Sequence, residues 1–135
     1  MQLHGDESPQ FCDKIADYIS VIKAFRMSDN DSIHHMTQPY ATICDFFMFD
    51  TLGAGYGGTG KKFDWDVLQK SPPAKPYFLS GGIELNDESK LEEFIITPAA
   101  EKSFAIDINP KFEIGPGVKD LNSIKKFAEG LGIKK

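Results

Sequence analysis

Four ionisable residues stand at or near the ends of short apolar runs: His4, Arg26, Asp50 and Asp107. In parallel α/β folds the chemistry gathers at the carboxyl ends of strands, so these are the first candidates for a site. Asp50 follows Phe46-Phe47-Met48-Phe49. A carboxyl group emerging from such a strand has its pKa raised by burial, toward the value a general acid needs. Equally, Asp50 could cap the following loop through neighbouring N–H groups. Asp107, between Ile106 and Ile108, is either a second site carboxylate or a satisfied structural one. His4 and Arg26 suit substrate binding, or are solvated loop residues.

Glycine-rich loops add a second kind of chemistry. Ser80-Gly81-Gly82 and Gly115-Pro116-Gly117-Val118-Lys119-Asp120 each follow an apolar run and lead toward a helix. Glycine lets backbone N–H groups approach an anion, and a helix N-terminus adds partial positive charge. Since (βα)₈ barrels build phosphate sites from the loops after their last two strands, the pair points to phosphate binding. The loop Gly53-Ala54-Gly55-Tyr56-Gly57-Gly58-Thr59-Gly60-Lys61-Lys62 satisfies G-x-G-x-x-G, but no helix opens at the glycines. It misses a P-loop as well, because Lys62 stands where Ser or Thr must hold magnesium. A surface loop is expected there, with no cofactor. His34-His35 has no Cys or carboxylate at metal spacing, so no metal site is expected. Cys12 and Cys44 read as buried, inert thiols.

The elements that must position these groups can be read from periodicity. Apolar or β-branched runs at Met1–His4, Val21–Phe25, Asp45–Asp50, Tyr77–Ser80 and Phe104–Ile108 suit strands covered on both faces. Ser8-Pro9 opens a helix whose expected apolar stripe is Phe11, Ile15, Ala16 and Ile19. A second helix is expected over 32–43, crossed by Pro39, and a third from about Phe63-Asp64-Trp65. A fourth is capped by Asn86 and buries Leu91, Phe94 and Ile95. The last buries Leu121, Ile124, Phe127, Ala128 and Leu131, and ends at Gly130 and Gly132. Strands alternating with helices give an α/β class with a parallel sheet in a single domain, residues 1–135.

The 135 residues carry 15 Lys+Arg against 20 Asp+Glu, a net charge of −5. That balance argues against nucleic-acid and anionic-membrane surfaces. No apolar run reaches the roughly 20 residues of a membrane span, and the N-terminus has no signal-peptide pattern, so a cytoplasmic protein is expected.

Several motifs occur in order: Gln2-Leu3-His4-Gly5-Asp6-Glu7-Ser8-Pro9, Lys23-Ala24-Phe25-Arg26, Phe49-Asp50-Thr51, Gly57-Gly58-Thr59-Gly60-Lys61-Lys62-Phe63-Asp64-Trp65, Leu79-Ser80-Gly81-Gly82-Ile83, then Ile106-Asp107 and Gly117-Val118-Lys119-Asp120. Together, over the whole chain, they resemble phosphoribosylanthranilate isomerase of tryptophan biosynthesis. The resemblance implies a (βα)₈ barrel and a cofactor-free Amadori rearrangement of phosphoribosylanthranilate. It makes Asp50 the general acid that protonates the ribose ring oxygen, with His4 and Arg26 on the pocket rim. Asp107 falls near the substrate hydroxyls. Gly81, Gly82 and the segment after the last strand, at Asn109, bind phosphate.

Departures from the family pattern are equally specific. The Lys-x-Cys-Gly motif carrying the family's catalytic base is absent, as is the arginine that holds the anthranilate carboxylate. Asn109-Pro110-Lys111 replaces the usual serine and glycine, and Pro110 has no backbone N–H to offer. The expected fold is therefore a truncated TIM barrel, (βα)₅, matching the last five units. Five strands cannot close an eight-stranded barrel, and two copies give ten. Edge protection would come from a homo-oligomer, a domain swap, a complementing N-terminal fragment, or rearrangement to an open flavodoxin-like sheet. The functions expected are an isomerase half with little activity alone, a module that binds phosphate ligands, or a half-enzyme active with a complementing chain.

Overall fold

The computed structural model describes residues 1–28, 30–51 and 62–132. Five parallel strands lie side by side in chain order: β1 (Gln2–Leu3), β2 (Ile22–Met27), β3 (Phe46–Thr51), β4 (Tyr77–Leu79) and β5 (Ser103–Ile106). A flavodoxin-like sheet reverses its strand order at a switch point. This order never reverses, so the open, doubly wound alternative is corrected. Right-handed crossovers between successive neighbours place the connecting helices on one face, as in a barrel.

Those helices are α1 (Pro9–Ala16), α2 (Ile33–Thr37), α3 (Asp66–Lys70), α4 (Glu88–Ile95) and α5 (Leu121–Gly130). Ser8 caps α1 as expected, its hydroxyl accepting from the Phe11 N–H, with Pro9 at the first helical position. The expected stripe on α1 holds in part: Ile15 and Ala16 pack against the core beside buried Cys12, while Phe11 and Ile19 are exposed. The second helix is also shorter than expected: α2 gives way to a 3₁₀ turn at Gln38–Tyr40, where Pro39 removes an N–H donor. Asn86 does not cap α4. It lies within a 3₁₀ turn, and Glu84 and Asp87 form the reciprocal cap instead. Leu121 and Ile95 are exposed, and a short antiparallel pair, β6 (Glu113–Gly115) and β7 (Val118–Lys119), occupies what reads in sequence as loop.

Alternation along the strands, broken on β5 by a register shift against β4 at Tyr77/Phe78, sorts two aromatic clusters onto opposite faces. On the helix-covered face, the Phe25, Phe47, Phe49 and Tyr77 rings meet at 5.3–6.3 Å between centroids. On the other, Phe46, Phe78 and Phe104 form a trio at 5.0–5.7 Å. The trio is less covered; Phe104 is 63% exposed.

Candidate active site

The register brings the strand-end residues into one row. Arg26 lies opposite Asp50 across β2 and β3. The Ser80 N–H donates to Phe49 O, and the Asp107 N–H to Leu79 O, both at 2.8 Å, which extends the row through β4 and β5. With a period of two, Arg26, Asp50, Ser80 and Asp107 share the face opposite the helices. The carboxyl ends of four different strands therefore contribute to one patch.

Asp50 is partly buried. Its carboxyl is pushed above the ordinary range, first by burial and further by the Asp107 charge; the Thr51 N–H and Arg26 pull the other way. That N–H donates to Asp50 Oδ1 at 2.8 Å, so the capping geometry and the raised pKa occur together rather than as alternatives. Oδ2 has no hydrogen-bond partner among the described residues. Asp107 accepts from the Ser80 hydroxyl through Oδ2 at 2.9 Å. Such an arrangement can hold a proton on one carboxyl while keeping a second acceptor in the same row, on the far side of Ser80.

Gly81 and Gly82 have φ of +94° and +68°. A Cβ on Gly81 would fall 2.3 Å from Thr51 Oγ1 and 2.9 Å from Asp50 Oδ1, so only glycine lets the β4 loop lie against this carboxyl. The N–H groups of both glycines donate to no described protein acceptor, leaving them available to an anion. Asn109 stands apart in role: its Oδ1 accepts from Lys119 Nζ at 2.6 Å, and Lys119 is also paired with Glu113 at 2.9 Å. His4 and Arg26 are exposed at the mouth of a cleft of about 450 Å³ shared with Lys23 and Tyr40. The glycine loop at 53–61 lies outside the described residues.

Three side chains that the sequence did not assign to the site brace it. Lys23, the second residue of β2, is 3% exposed, and its Nζ donates to Gly5 O at 2.7 Å and pairs with Glu7 Oε2 at 3.1 Å. The Tyr40 hydroxyl donates to Glu7 O at 2.8 Å, fixing the loop that follows His4. A lysine within an apolar strand was the available signal. Lys62 pairs with Glu84 at 2.8 Å and buried Asp87 at 2.7 Å, which bonds the segment beyond β3 to the loop carrying Gly81 and Gly82. Cys12 and Cys44, distant in sequence, are both buried, and Cys12 helps to raise the Cys44 thiol. Among the described residues no group of His, Cys, Asp and Glu could hold a metal ion, and no helix is long and apolar enough to cross a membrane.

Residues 1–130 match the family N-(5'phosphoribosyl)anthranilate (PRA) isomerase. The chain is 39% identical to N-(5'-phosphoribosyl)anthranilate isomerase of Parabacteroides distasonis, over 97% of this chain and 58% of that protein. It is 37% identical to the protein of the same name from Phocaeicola vulgatus, over 99% and 63% respectively. Among solved structures it resembles monomers generated from the dimeric phosphoribosylanthranilate isomerase of Thermotoga maritima, with TM-score 0.72 and 28% identity over 97% of this chain and 58% of that one. The fold is also similar to phosphoribosyl anthranilate isomerase from Thermus thermophilus, at TM-score 0.70 and 21% identity over 97% of this chain and 59% of that one. The chain thus spans about three-fifths of the length of the relatives it matches.

Proposed function

The chain belongs to the phosphoribosylanthranilate isomerase family, and from that premise we propose that it is the acid and phosphate half of the isomerase, productive only with the barrel units its relatives possess in addition. Asp50 is the general acid. Its proton passes to the ribose ring oxygen of phosphoribosylanthranilate as the ring opens. Asp107 faces the substrate hydroxyls, His4 and Arg26 line the rim, and Gly81 with Gly82 receives the phosphate through backbone N–H groups. Asn109 contributes to phosphate binding only by releasing Lys119. The base that removes the C2 proton is supplied from outside this chain, because neither buried cysteine lies in the row of strand-end groups. Purified alone, the chain has little or no turnover.

The observation that carries this reading is the partly buried Asp50, held by the Thr51 N–H and against Gly81, in the strand-end row that also holds Asp107. A general acid contributes about 10²–10⁴-fold to rate. The test is to mix the chain with the separately expressed N-terminal units of the Parabacteroides relative and follow loss of phosphoribosylanthranilate fluorescence. Turnover is expected in the mixture, falling by about that factor in Asp50→Asn. A mixture that assembles but stays inactive overturns the reading in favour of a non-catalytic module, which titration with ribose phosphates would then identify. Turnover by the chain alone overturns the statement that it needs a complement.

A further inference from the structure

Thr51 has three hydrogen bonds whose common effect is on its neighbour. Its N–H donates to Asp50 Oδ1 at 2.8 Å, fixing one carboxyl oxygen. Its hydroxyl donates to Gly81 O at 3.3 Å. The same oxygen accepts from the Phe63 N–H at 3.3 Å. One side chain therefore joins β3, the β4 loop and the segment leading into α3 at the point where Gly81 presses on the carboxyl. Gly81 has no side chain to hold it there, and its left-handed backbone offers no strand pairing. The Thr51 hydroxyl is the described side-chain contact that keeps it in place.

We infer that Thr51 is a positioning residue for Asp50: its hydroxyl clamps Gly81 and Phe63 as a wall beside the carboxyl, while its amide assigns Oδ1 as the acceptor and leaves Oδ2 to carry the transferable proton. This rests on the role proposed for Asp50 and adds a residue to it. The wall works by keeping water off the carboxyl. Among the described residues the charged groups acting on Asp50 are Asp107 from β5 and Arg26 from β2, which oppose one another. The β4 loop contributes Ser80 and glycine at this point, so removing the hydroxyl changes hydration and not the charge inventory.

The test follows the Asp50 carboxyl carbon by NMR across pH in the full, isotopically labelled chain, with Asp50→Asn to assign the signal. In Thr51→Val the midpoint is expected to fall toward that of an ordinary aspartate, about 3.9; in Thr51→Ser it is expected to stay at the wild-type value. A folded Thr51→Val with an unchanged midpoint overturns the inference. So does an equal fall in the Val and Ser variants, which would assign the effect to the methyl group. Should Thr51→Val not fold, the wild-type chain decides: a slowly exchanging Thr51 hydroxyl proton close to the Phe63 amide supports the clamp, and its absence overturns it. The readout needs no substrate. Failed complementation with a Thr51-dependent titration therefore sinks the functional reading alone, and the converse sinks the clamp alone.

Discussion

Burial raises the pKa of Asp50 and of both cysteines, with different consequences for stability and for reactivity. Asp50 has a folded pKa above its unfolded one, so the native state holds a proton that the unfolded chain releases first. Its stabilising contribution is complete below the ordinary carboxyl range and is lost as pH rises through the folded value. Asp50→Asn mimics the protonated form, and is expected to raise the urea midpoint at pH 7 but not at pH 3. Equal midpoints at both pH values would show that the carboxyl carries no desolvation cost. Burial, then the neighbouring Cys12, pushes the Cys44 thiol up to about 12, and burial raises Cys12 as well. At pH 8 a thiol of that kind is ionised to about one part in 10⁴. Neither cysteine should react with a disulfide reagent in the native chain, and both should react in denaturant. Rapid native labelling would contradict the buried pair. Sequence placed Asp50 and Asp107 at strand ends because apolar runs announce the strands. It could not place Lys23 or Thr51 in their roles, since hydrogen bonds to Gly5 and Gly81 depend on loop geometry that periodicity does not encode.

Among the elements, the strands were the legible part and the helix ends were not. Continuous apolar runs fix β2 and β3, whereas Pro39 divides the second helix and a Glu84–Asp87 cap replaces the expected Asn86. The β6–β7 pair escaped because its strands are three and two residues long and mostly exposed. The Glu84–Asp87 cap gains its force from Lys62, which donates to both carboxylates. Removing that cation leaves buried Asp87 without its ion pair, although the Glu84 N–H still donates to it. Lys62→Met is expected to cost about 2 kcal/mol in chemical denaturation. It should also loosen the loop bearing Gly81 and Gly82, weakening binding of inorganic phosphate relative to the wild type. A loss below about 0.5 kcal/mol, the usual range for surface substitutions, would show that the bridge is merely a surface pair.

At the scale of the whole molecule, the helices leave bare the sheet face that carries Phe46, Phe78 and Phe104. Among the described residues β1 pairs only with β2 and β5 only with β4, so the sheet presents two edges. Next to β5, Ile95, Phe104, Ile106 and Ile124 line an apolar groove of about 510 Å³ that runs under α5. A closed barrel would bury both edges and the Phe46, Phe78 and Phe104 trio inside itself. Exposed edges and apolar faces template pairing with other chains, so self-association through this face is the expected behaviour. Sedimentation at micromolar concentration is expected to show a concentration-dependent oligomer. Phe104→Lys, which places a charge within the trio, should shift it toward monomer without unfolding it, since Phe104 contributes little to the helix-covered core. The same substitution should weaken complementation by the N-terminal barrel units, because they need that face as well. If the wild type sediments as a monomer at every concentration, the face is covered in some other way. If Phe104→Lys frees the monomer yet leaves complementation intact, self-association and barrel completion use different surfaces.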